Sequence, residues 1–147
     1  MSDKRFVRNG SVGLLQSIAP VVQTGDGTVT GTYFDRQAYP EDFADALVVA
    51  SFGALGGGGT VSSTVTVEES DASGSGYTQV TDENLIDESS MVFTAAGIAY
   101  RSIRLNKLKR YVRAKAVVDF TAGSSPSQPL SVEIIGINPR WNPSEDN

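Results

Sequence analysis

The side chains best suited to chemistry in this sequence are concentrated in residues 108–120, where charged and apolar positions alternate. Tyr111, Arg113 and Lys115 occupy every second position, and the positions between them carry small or branched apolar residues. Because successive side chains of a β-strand point to opposite faces, this pattern predicts a strand with one core face and one face of cations beside an aromatic ring. Such a face suits non-covalent binding of carboxylates on a partner.

The composition excludes several classes of catalytic site. The chain has no histidine and no cysteine, which excludes thiolate catalysis, zinc–sulfur sites and hydrolases built on a Ser–His pair. The remaining candidates are adjacent acid pairs, Asp82/Glu83 and Asp87/Glu88. Neighbouring acids point to opposite faces of a strand, which does not suit the facing carboxylates of a glycosidase. We therefore expect that the protein is not an enzyme.

Two loops have a superficial likeness to ligand sites. Residues 56–59 are four glycines, but the Gly-Lys-Ser or Gly-Lys-Thr of a phosphate-binding loop does not follow them. Residues 70–76 contain Asp71, Ser73 and Ser75, but the distal glutamate that completes a calcium loop is missing at the required offset. We interpret both segments as hairpin loops, and we expect no metal ion and no cofactor.

Charge is separated along the chain. The formal net charge is −5, yet seven of the 12 cations lie in residues 101–115 and seven of the 17 acids lie in residues 68–88. Net acidity argues against a nucleic-acid partner, whereas separate patches suit contact with further copies or with a charged protein surface. We expect the partner-binding residues to be the clustered cations and the arginine–tryptophan pair after the last strand. They are Lys4, Arg5, Arg8, Arg101, Arg104, Lys107, Lys109, Arg110, Arg113, Lys115, Arg140 and Trp141.

Most of the chain is predicted to form short strands. Residues 60–69 alternate Val with Thr, and residues 46–55 are almost all apolar. The first pattern predicts a half-buried strand, and the second predicts a strand that is buried on both faces or central in a sandwich. Residues 11–22 also predict a strand, with helix for part of it as the alternative, since Gly13 and Pro20 disfavour a regular helix. A single helical turn is possible near Pro40.

Residues 98–105 predict a strand that leads directly into residues 108–120. Ile98 and Tyr100 are out of phase with Ile103 and Leu105, and this predicts a bulge or a bend near Arg101-Ser102. Only residues 106 and 107 separate the two strands, which predicts a tight antiparallel hairpin. The basic side chains of both arms would then cluster on one surface.

The predicted fold is all-β, an antiparallel β-sandwich of jelly-roll type with eight or nine short strands and little helix. Its predicted parts are a basic N-terminal arm (residues 1–10), a single sandwich domain (11–140) and an acidic C-terminal tail (141–147). The N-terminus has no apolar run of signal-peptide length, and no run is long enough to span a bilayer. We expect a soluble protein made in the cytoplasm, with no membrane partner.

The order of several short motifs resembles a known family. Glu68-Glu69-Ser70-Asp71 is followed by Gly74 to Val80, then by Tyr100-Arg101-Ser102-Ile103, Lys109 to Arg113 and Gly136 to Arg140. This succession is similar to that of the capsid cement, or decoration, proteins of tailed bacteriophages. The likeness covers roughly residues 47–140, and nothing before residue 46 contributes to it.

The resemblance implies a jelly-roll protein that sits on the outer surface of a phage capsid, is made in the host bacterium and clamps neighbouring capsomers. Its implied partners are the major capsid protein and further copies of itself, as a homodimer or homotrimer. An alternative is a carbohydrate-binding or receptor-binding sandwich of a virion, with Tyr33, Tyr39, Tyr77 and Trp141 as candidate aromatic platforms. Nucleic-acid binding through the Arg–Tyr–Arg stripe ranks third, because the chain is acidic.

Overall fold

The computed structural model of this protein describes residues 12–38, 43–84 and 91–139, and the regular structure in these ranges is almost entirely β-strand. Ten strands occur there. In chain order they are β1 (Val12–Thr24), β2 (Gly27–Thr30), β3 (Phe34–Asp35), β4 (Phe43–Phe52), β5 (Thr60–Ser70), β6 (Thr78–Gln79), β7 (Met91–Phe93), β8 (Gly97–Ile103), β9 (Tyr111–Thr121) and β10 (Ser127–Pro139). The described helices are single 3-10 turns at Arg36–Ala38, Asp82–Asn84 and Leu105–Lys107. Among the described residues, no helix has the length and apolarity needed to cross a membrane.

The strands form two antiparallel sheets. The first sheet has the order β1-β10-β4-β8. In the second sheet β9 and β5 are central, β2 and β3 pair with the free side of β9, and β6 and β7 pair with the free side of β5. Each sheet turns one face inward to a common core, so the architecture is the predicted antiparallel sandwich.

The pairing order defines the fold more closely. With β2 and β3 counted as one interrupted edge strand, and β6 and β7 as another, eight strands remain. They pair first with last, second with seventh, third with sixth and fourth with fifth. This nested pairing is a long hairpin rolled into two sheets. The fold is a jelly roll, as predicted, and the two interrupted edges explain why ten strands are observed where eight or nine were expected.

The core lies between the sheets and follows the alternation of the sequence. Strand β9 buries Val112, Ala114, Ala116, Val118 and Phe120 and leaves the intervening residues partly exposed or exposed, which confirms the predicted core face. In the same way, β5 confirms the alternation predicted for residues 60–69. Burial of these side chains is the main stabilising contribution to the sandwich.

Strand β4 is an interior strand of the first sheet, as predicted, but it is not fully buried on both faces. Ala46, Val48 and Ala50 have no exposed surface, whereas Leu47 and Val49 on the opposite face are half-buried. The outer face of the first sheet therefore carries apolar side chains that nothing in the described residues covers completely.

The predicted basic hairpin is wrong. Strand β8 pairs with β4 in the first sheet, whereas β9 pairs with β5 and β2 in the second sheet. The connection includes a 3-10 turn, Leu105–Lys107, whose Leu105 is 1% exposed, and Leu108 beyond it is 4% exposed. These two buried leucines anchor a crossing between sheets, which the short spacing alone did not distinguish from a tight turn.

The bulge predicted near Arg101 is also absent from the structure. The β4–β8 register runs without a shift from Ala46–Ile103 to Phe52–Gly97. Ile98 and Tyr100 are out of phase with Ile103 because they face outward, and their exposed fractions are 74% and 61%. Apolar residues on an outer face, rather than a backbone irregularity, explain the change of phase.

Of the two loops that were predicted to be hairpins, one is a hairpin and the other is not. The 70–76 loop is a hairpin between β5 and β6, as predicted. The glycine-rich loop is not a hairpin, since it connects β4 in one sheet to β5 in the other. Gly57 and Gly59 have φ values of +79°, and a Cβ at either one would lie within 2.7 Å of a backbone carbonyl oxygen of residues 121–125. Glycine is required there because two loops cross closely.

Residues 12–24 form strand β1 without any helical part, but the strand is irregular. Its register with β10 shifts between Gln16 and Ile18 and again between Ile18 and Val21, near Pro20. The terminal arm, the tail and the helical turn predicted near Pro40 lie outside the described residues.

Candidate partner-binding surface

The structure divides the predicted partner-binding residues into three groups. Lys4, Arg5, Arg8, Arg140 and Trp141 lie outside the described residues. Arg101 belongs to β8 in the first sheet, and the exposed Arg104 and Lys107 lie in the connection between the sheets. The remaining cations, Lys109, Arg110, Arg113 and Lys115, lie on or just before β9 in the second sheet. Within the described residues, the predicted cations are therefore divided between the two sheets and their connection and do not share one sheet face.

The four cations at β9 are paired with carboxylates of their own chain. Arg110 makes two hydrogen bonds to Asp35, from Nε to Oδ1 at 3.0 Å and from Nη2 to Oδ2 at 2.9 Å. Arg113 Nε donates to Glu68 Oε1 at 3.1 Å, and Lys115 Nζ lies 3.8 Å from Glu68 Oε2. Lys109 Nζ lies 3.8 Å from Asp71 Oδ2. The predicted cationic face is present, but its charge is largely compensated.

Sheet register brings these pairs together. Glu68 lies opposite Arg113 and Thr66 opposite Lys115 in the β5–β9 pair. Strand β3 pairs with the start of β9 and places Asp35 opposite Tyr111, beside Arg110. Acids that are far away in the sequence therefore face the basic strand.

Three tyrosines converge on the same outer face. The rings of Tyr33 and Tyr111 meet edge to face with their centroids 5.2 Å apart. The Arg110 guanidinium carbon lies 5.0 Å from the Tyr111 centroid, and that of Arg113 lies 3.6 Å from the Tyr77 centroid. We call Tyr33, Tyr77, Tyr111, Arg110 and Arg113 the tyrosine–arginine surface. The sequence suggested no aromatic cluster, because the three tyrosines are 34 to 78 residues apart along the chain.

The tyrosine–arginine surface is firmly positioned. Arg113 stacks on Tyr77 while it is hydrogen-bonded to Glu68, whose exposed fraction is only 8%. The Tyr77 hydroxyl donates to the Ser73 carbonyl at 2.9 Å. Burial raises the pKa of Tyr77, and the nearby Arg113 charge partly opposes this effect. Arg113 and Tyr77 are thus each held by two contacts, which limits the entropy that these side chains would lose on binding.

The segment that enters β9 is held by two residues that the sequence did not identify. Arg36 donates from Nε to the Lys109 carbonyl at 2.9 Å and from Nη2 to the Leu108 carbonyl at 2.6 Å. The Glu69 carboxylate accepts the Lys109 backbone N–H at 2.9 Å. Glu69 lies opposite Val112 in the register, so the pairing of β5 with β9 is the only signal that could have indicated this role.

Comparisons with known proteins assign no family. No family model matches this chain. No curated protein matches it either. The findings are therefore limited to solved structures.

Several solved structures are similar. One, of the Gx strain of infectious bursal disease virus, is 10% identical, with a TM-score of 0.44 over 86% of this chain and 32% of that chain. Another, of turnip yellow mosaic virus, is 9% identical, with a TM-score of 0.38 over 91% of this chain and 83% of that chain. A third contains CBM22-1–GH10 modules of Clostridium thermocellum xylanase 10B complexed with xylohexaose. It is 11% identical, with a TM-score of 0.39 over 91% of this chain and 27% of that chain.

This chain spans about a third of the length of the bursal disease virus chain. All three TM-scores are below 0.5, so the matches carry no argument about function. The jelly-roll assignment rests on strand pairing.

The chemistry that the tyrosine–arginine surface offers is that of recognition. It presents ring edges and faces, hydroxyl groups and guanidinium donors on a rigid sheet, and Tyr and Arg are among the residues enriched at the energetic centres of protein interfaces. Tyr33 is its most accessible ring, with an exposed fraction of 42%. This residue is the natural point of contact for a partner.

Proposed function

We propose that this protein is a structural component of a phage virion, which binds the outer surface of the capsid and clamps neighbouring capsomers. The observation that carries the proposal is the tyrosine–arginine surface, which joins exposed aromatic area to fixed hydrogen-bond donors. Partner contact would centre on Tyr33 and extend to the cations around it, including Lys109 with its partly exposed side chain.

The order of motifs supports the choice of a phage capsid as the partner. Within the cement family, that order resembles the cement protein of the Bordetella tropism-switching phage. A jelly roll by itself hosts many functions, so the motifs and the surface support this proposal more than the fold does. On a symmetric shell each contact is repeated many times, and this multivalency would turn modest individual contacts into stable attachment.

The two arginines are poor targets for a first test, although the sequence pointed to them. Arg113 pairs with Glu68, which is 8% exposed, so its removal would leave a nearly buried carboxylate with only Lys115 nearby. A loss of binding in an Arg110/Arg113 double variant would then mix the effects of folding and contact. Tyr33 is more exposed than Arg113 and pairs with no carboxylate in the described residues, and its aromatic contact to Tyr111 is on the surface.

The test uses phage capsids from which this protein has been stripped. Increasing amounts of the purified chain are mixed with the shells, the shells are sedimented, and the bound copies are counted. We expect saturable binding at a fixed ratio to the major capsid protein. Tyr33→Ala should weaken binding about tenfold or more, as truncation of an aromatic anchor typically does.

Leu14→Ala is the matched control, because Leu14 is 63% exposed but lies on β1 in the other sheet. Its binding curve should follow that of the wild type, and circular dichroism should show that both variants are folded. Failure of the wild-type chain to bind shells at low and moderate salt would overturn the capsid role. Unchanged affinity of Tyr33→Ala would remove the tyrosine–arginine surface from it.

A second candidate is a glycan-binding virion module, and the convergence of Tyr33, Tyr77 and Tyr111 favours it. Aromatic rings beside charged donors and acceptors suit sugar rings, whose faces are apolar and whose hydroxyls are polar. A glycan screen with the wild type and Tyr33→Ala tests this candidate. Binding of a glycan that Tyr33→Ala abolishes, together with no binding to capsids, would favour it over the cement role.

A further inference from the structure

Strand β8 forms one edge of the first sheet. Among the described residues it pairs only with β4, so one side of its backbone has no strand beside it. It is seven residues long, contains no proline and keeps an unbroken register along its whole length. These are the properties of an edge that can accept another strand.

The other described edges are protected in ways that β8 is not. Strand β1 carries Pro20 and two register shifts, which bend its edge. The edges of the second sheet are interrupted, since β2, β3, β6 and β7 are between two and four residues long. Short, bulged or proline-containing edges resist strand addition, so β8 is the most available edge in the described part of the fold.

The side chains of β8 are unusually apolar for a solvated edge. Ile98 is 74% exposed and Tyr100 is 61% exposed, and both lie on the outer face, where Tyr100 is opposite the half-buried Val49. A groove of about 430 Å³ follows the strand and is lined by Ile98, Ala99, Tyr100 and Arg101. A strand added at this edge would cover these apolar groups.

We propose that β8 pairs with β8 of a second copy of this chain, antiparallel about a two-fold axis at Ala99, so that two four-stranded sheets become one of eight strands. Face parity limits the possible registers. A slip by one residue would place outward-facing side chains of one copy opposite inward-facing side chains of the other. The two-fold axis must therefore pass where a residue lies opposite the same residue of the second copy. With Ala99 at the axis, Ile98 of each copy lies opposite Tyr100 of the other, and β-branched–aromatic pairs of this kind stabilise sheets.

The inward face of β8 fits the same register. Gly97 would lie opposite Arg101 of the second copy, and its missing side chain would leave room for that guanidinium. Nothing in the described part of the monomer explains this glycine, because a Cβ at Gly97 would meet no atom there within 4 Å and its φ is not positive. Arg101 Nε is buried and has no hydrogen-bond partner among the described residues. A second strand would bring backbone carbonyl groups close to that guanidinium.

Charge favours the antiparallel direction for a pair of copies. The cations Arg101, Arg104 and Lys107 follow one another at the C-terminal end of β8, whereas residues 94–97 at its N-terminal end are uncharged. Antiparallel pairing places the basic end of each copy beside the neutral end of the other, and parallel pairing would bring both basic ends together. This pairing does not depend on capsid binding, and it is tested on the free protein.

The first experiment is sedimentation equilibrium of the full chain over a wide concentration range. We expect a reversible dimer for the wild type and a monomer over the same range for Ile98→Lys/Tyr100→Lys, since both positions are exposed in the monomer and the new charges would face each other across the seam. Leu14→Lys is the control, with a similarly exposed position on the opposite edge strand. A monomeric wild type would overturn the proposal, and so would a dimer that the double variant preserves.

The register is tested with single cysteines, which are unambiguous because the chain has none of its own. Residues directly opposite each other in an antiparallel pair have Cα atoms about 4.5–5.5 Å apart, within the range of a disulfide. Ala99→Cys should therefore form a covalent dimer under mild oxidation, and Tyr100→Cys should not. The opposite result would overturn the Ala99 register. Gly97→Val provides a third readout: it should weaken the dimer and leave the monomer folded, and an undiminished dimer would contradict the role given to Gly97.

Discussion

Arg110 and Asp35 show how a single pair shapes the tyrosine–arginine surface. Their two hydrogen bonds fix the guanidinium plane beside the Tyr111 ring. The hydrogen bond from Arg110 is the main reason why the pKa of Asp35 lies below its usual value, and the backbone N–H of Gln37 contributes to the same shift. The pair therefore links the shape of the surface to the protonation of one carboxyl group.

This link predicts a pH-dependent stability. Because the pKa of Asp35 is lower in the folded chain, its contribution is present above the unfolded value of 3.8 and is lost as the pH falls through the folded value. Asp35→Asn should lower the urea midpoint modestly at pH 7 and have a smaller effect near pH 2. Asp71→Asn, which removes an 81% exposed carboxylate, should leave the midpoint nearly unchanged at both pH values. An Asp35→Asn effect that is equal at both pH values would contradict the assignment.

The sequence predicted the residue types of this surface and not their contacts. Alternation along residues 108–120 is a local property, and it placed Arg113 and Lys115 on the outer face. Their shared partner Glu68 is 45 residues before Arg113, and Asp35, the partner of Arg110, is 75 residues before that arginine; both acids are placed there by strand pairing. Local patterns contain no information on strand pairing, so they could not predict that carboxylates would neutralise the charge of the basic face.

At the scale of elements, β1 supplies hydrogen bonds that are missing at an interrupted edge of the opposite sheet. Residues 31–33 interrupt the edge between β2 and β3, which leaves the Ala114 N–H without a strand partner. Ser17 enters this gap, where its Oγ accepts that N–H at 2.9 Å and donates to the Thr32 carbonyl at 3.0 Å. Ser17 is 2% exposed, and a Cβ on Gly31 would collide with its hydroxyl. The irregularity of β1 is thus part of how the two sheets are joined.

Ser17→Ala should destabilise the fold by about 1–3 kcal/mol, because it leaves the buried Ala114 N–H and the Thr32 carbonyl without this partner. The measurement is urea unfolding followed by tyrosine fluorescence or circular dichroism. Gln16→Ala, at the exposed neighbouring position, should change the free energy of unfolding by no more than about 0.5 kcal/mol. Equal effects of the two substitutions would show that the Ser17 contacts contribute nothing.

Strand positions were largely predictable and strand partners were not. The apolar runs located β4, β5 and β9 to within a few residues, since alternation and burial are encoded locally. The predicted hairpin between β8 and β9 was wrong. A short connection between two apolar strands looks the same in the sequence whether the chain turns back in one sheet or crosses to the other sheet. Leu105 and Leu108 were the available signal, as apolar residues in a connection indicate that it is buried rather than a surface turn.

At the scale of the whole molecule, a buried polar bridge ties the sheets together. Gln128 on β10 has no exposed surface, and its Oε1 accepts a hydrogen bond from Ser63 Oγ on β5 at 3.0 Å. Its Nε2 donates to the Gly53 carbonyl at 3.2 Å, just beyond the end of β4. One side chain therefore connects three elements inside an otherwise apolar core, where hydrogen bonds depend strongly on their geometry.

Ser63→Ala should cost about 1–3 kcal/mol, because Gln128 Oε1 would remain buried without its donor. Replacing both partners, as in Ser63→Ala/Gln128→Met, should cost less than the sum of the single variants, since no orphaned pair remains. Ser62→Ala, at the exposed adjacent position, is the control and should be close to neutral. Additive costs in this cycle would argue against a direct bond between the sheets.

The rolled pairing of the strands also has a consequence for biosynthesis. The first sheet is built around β10, which is the last strand to leave the ribosome among those described and is the partner of both β1 and β4. Until β10 is made, each of those two strands has an unpaired side, and their contacts with β10 span 78 or more residues of chain. Such long-range pairing is slow, and it leaves aggregation-prone intermediates exposed. We therefore expect the nascent chain to depend on chaperones, and the fold to close only after translation of its final strand.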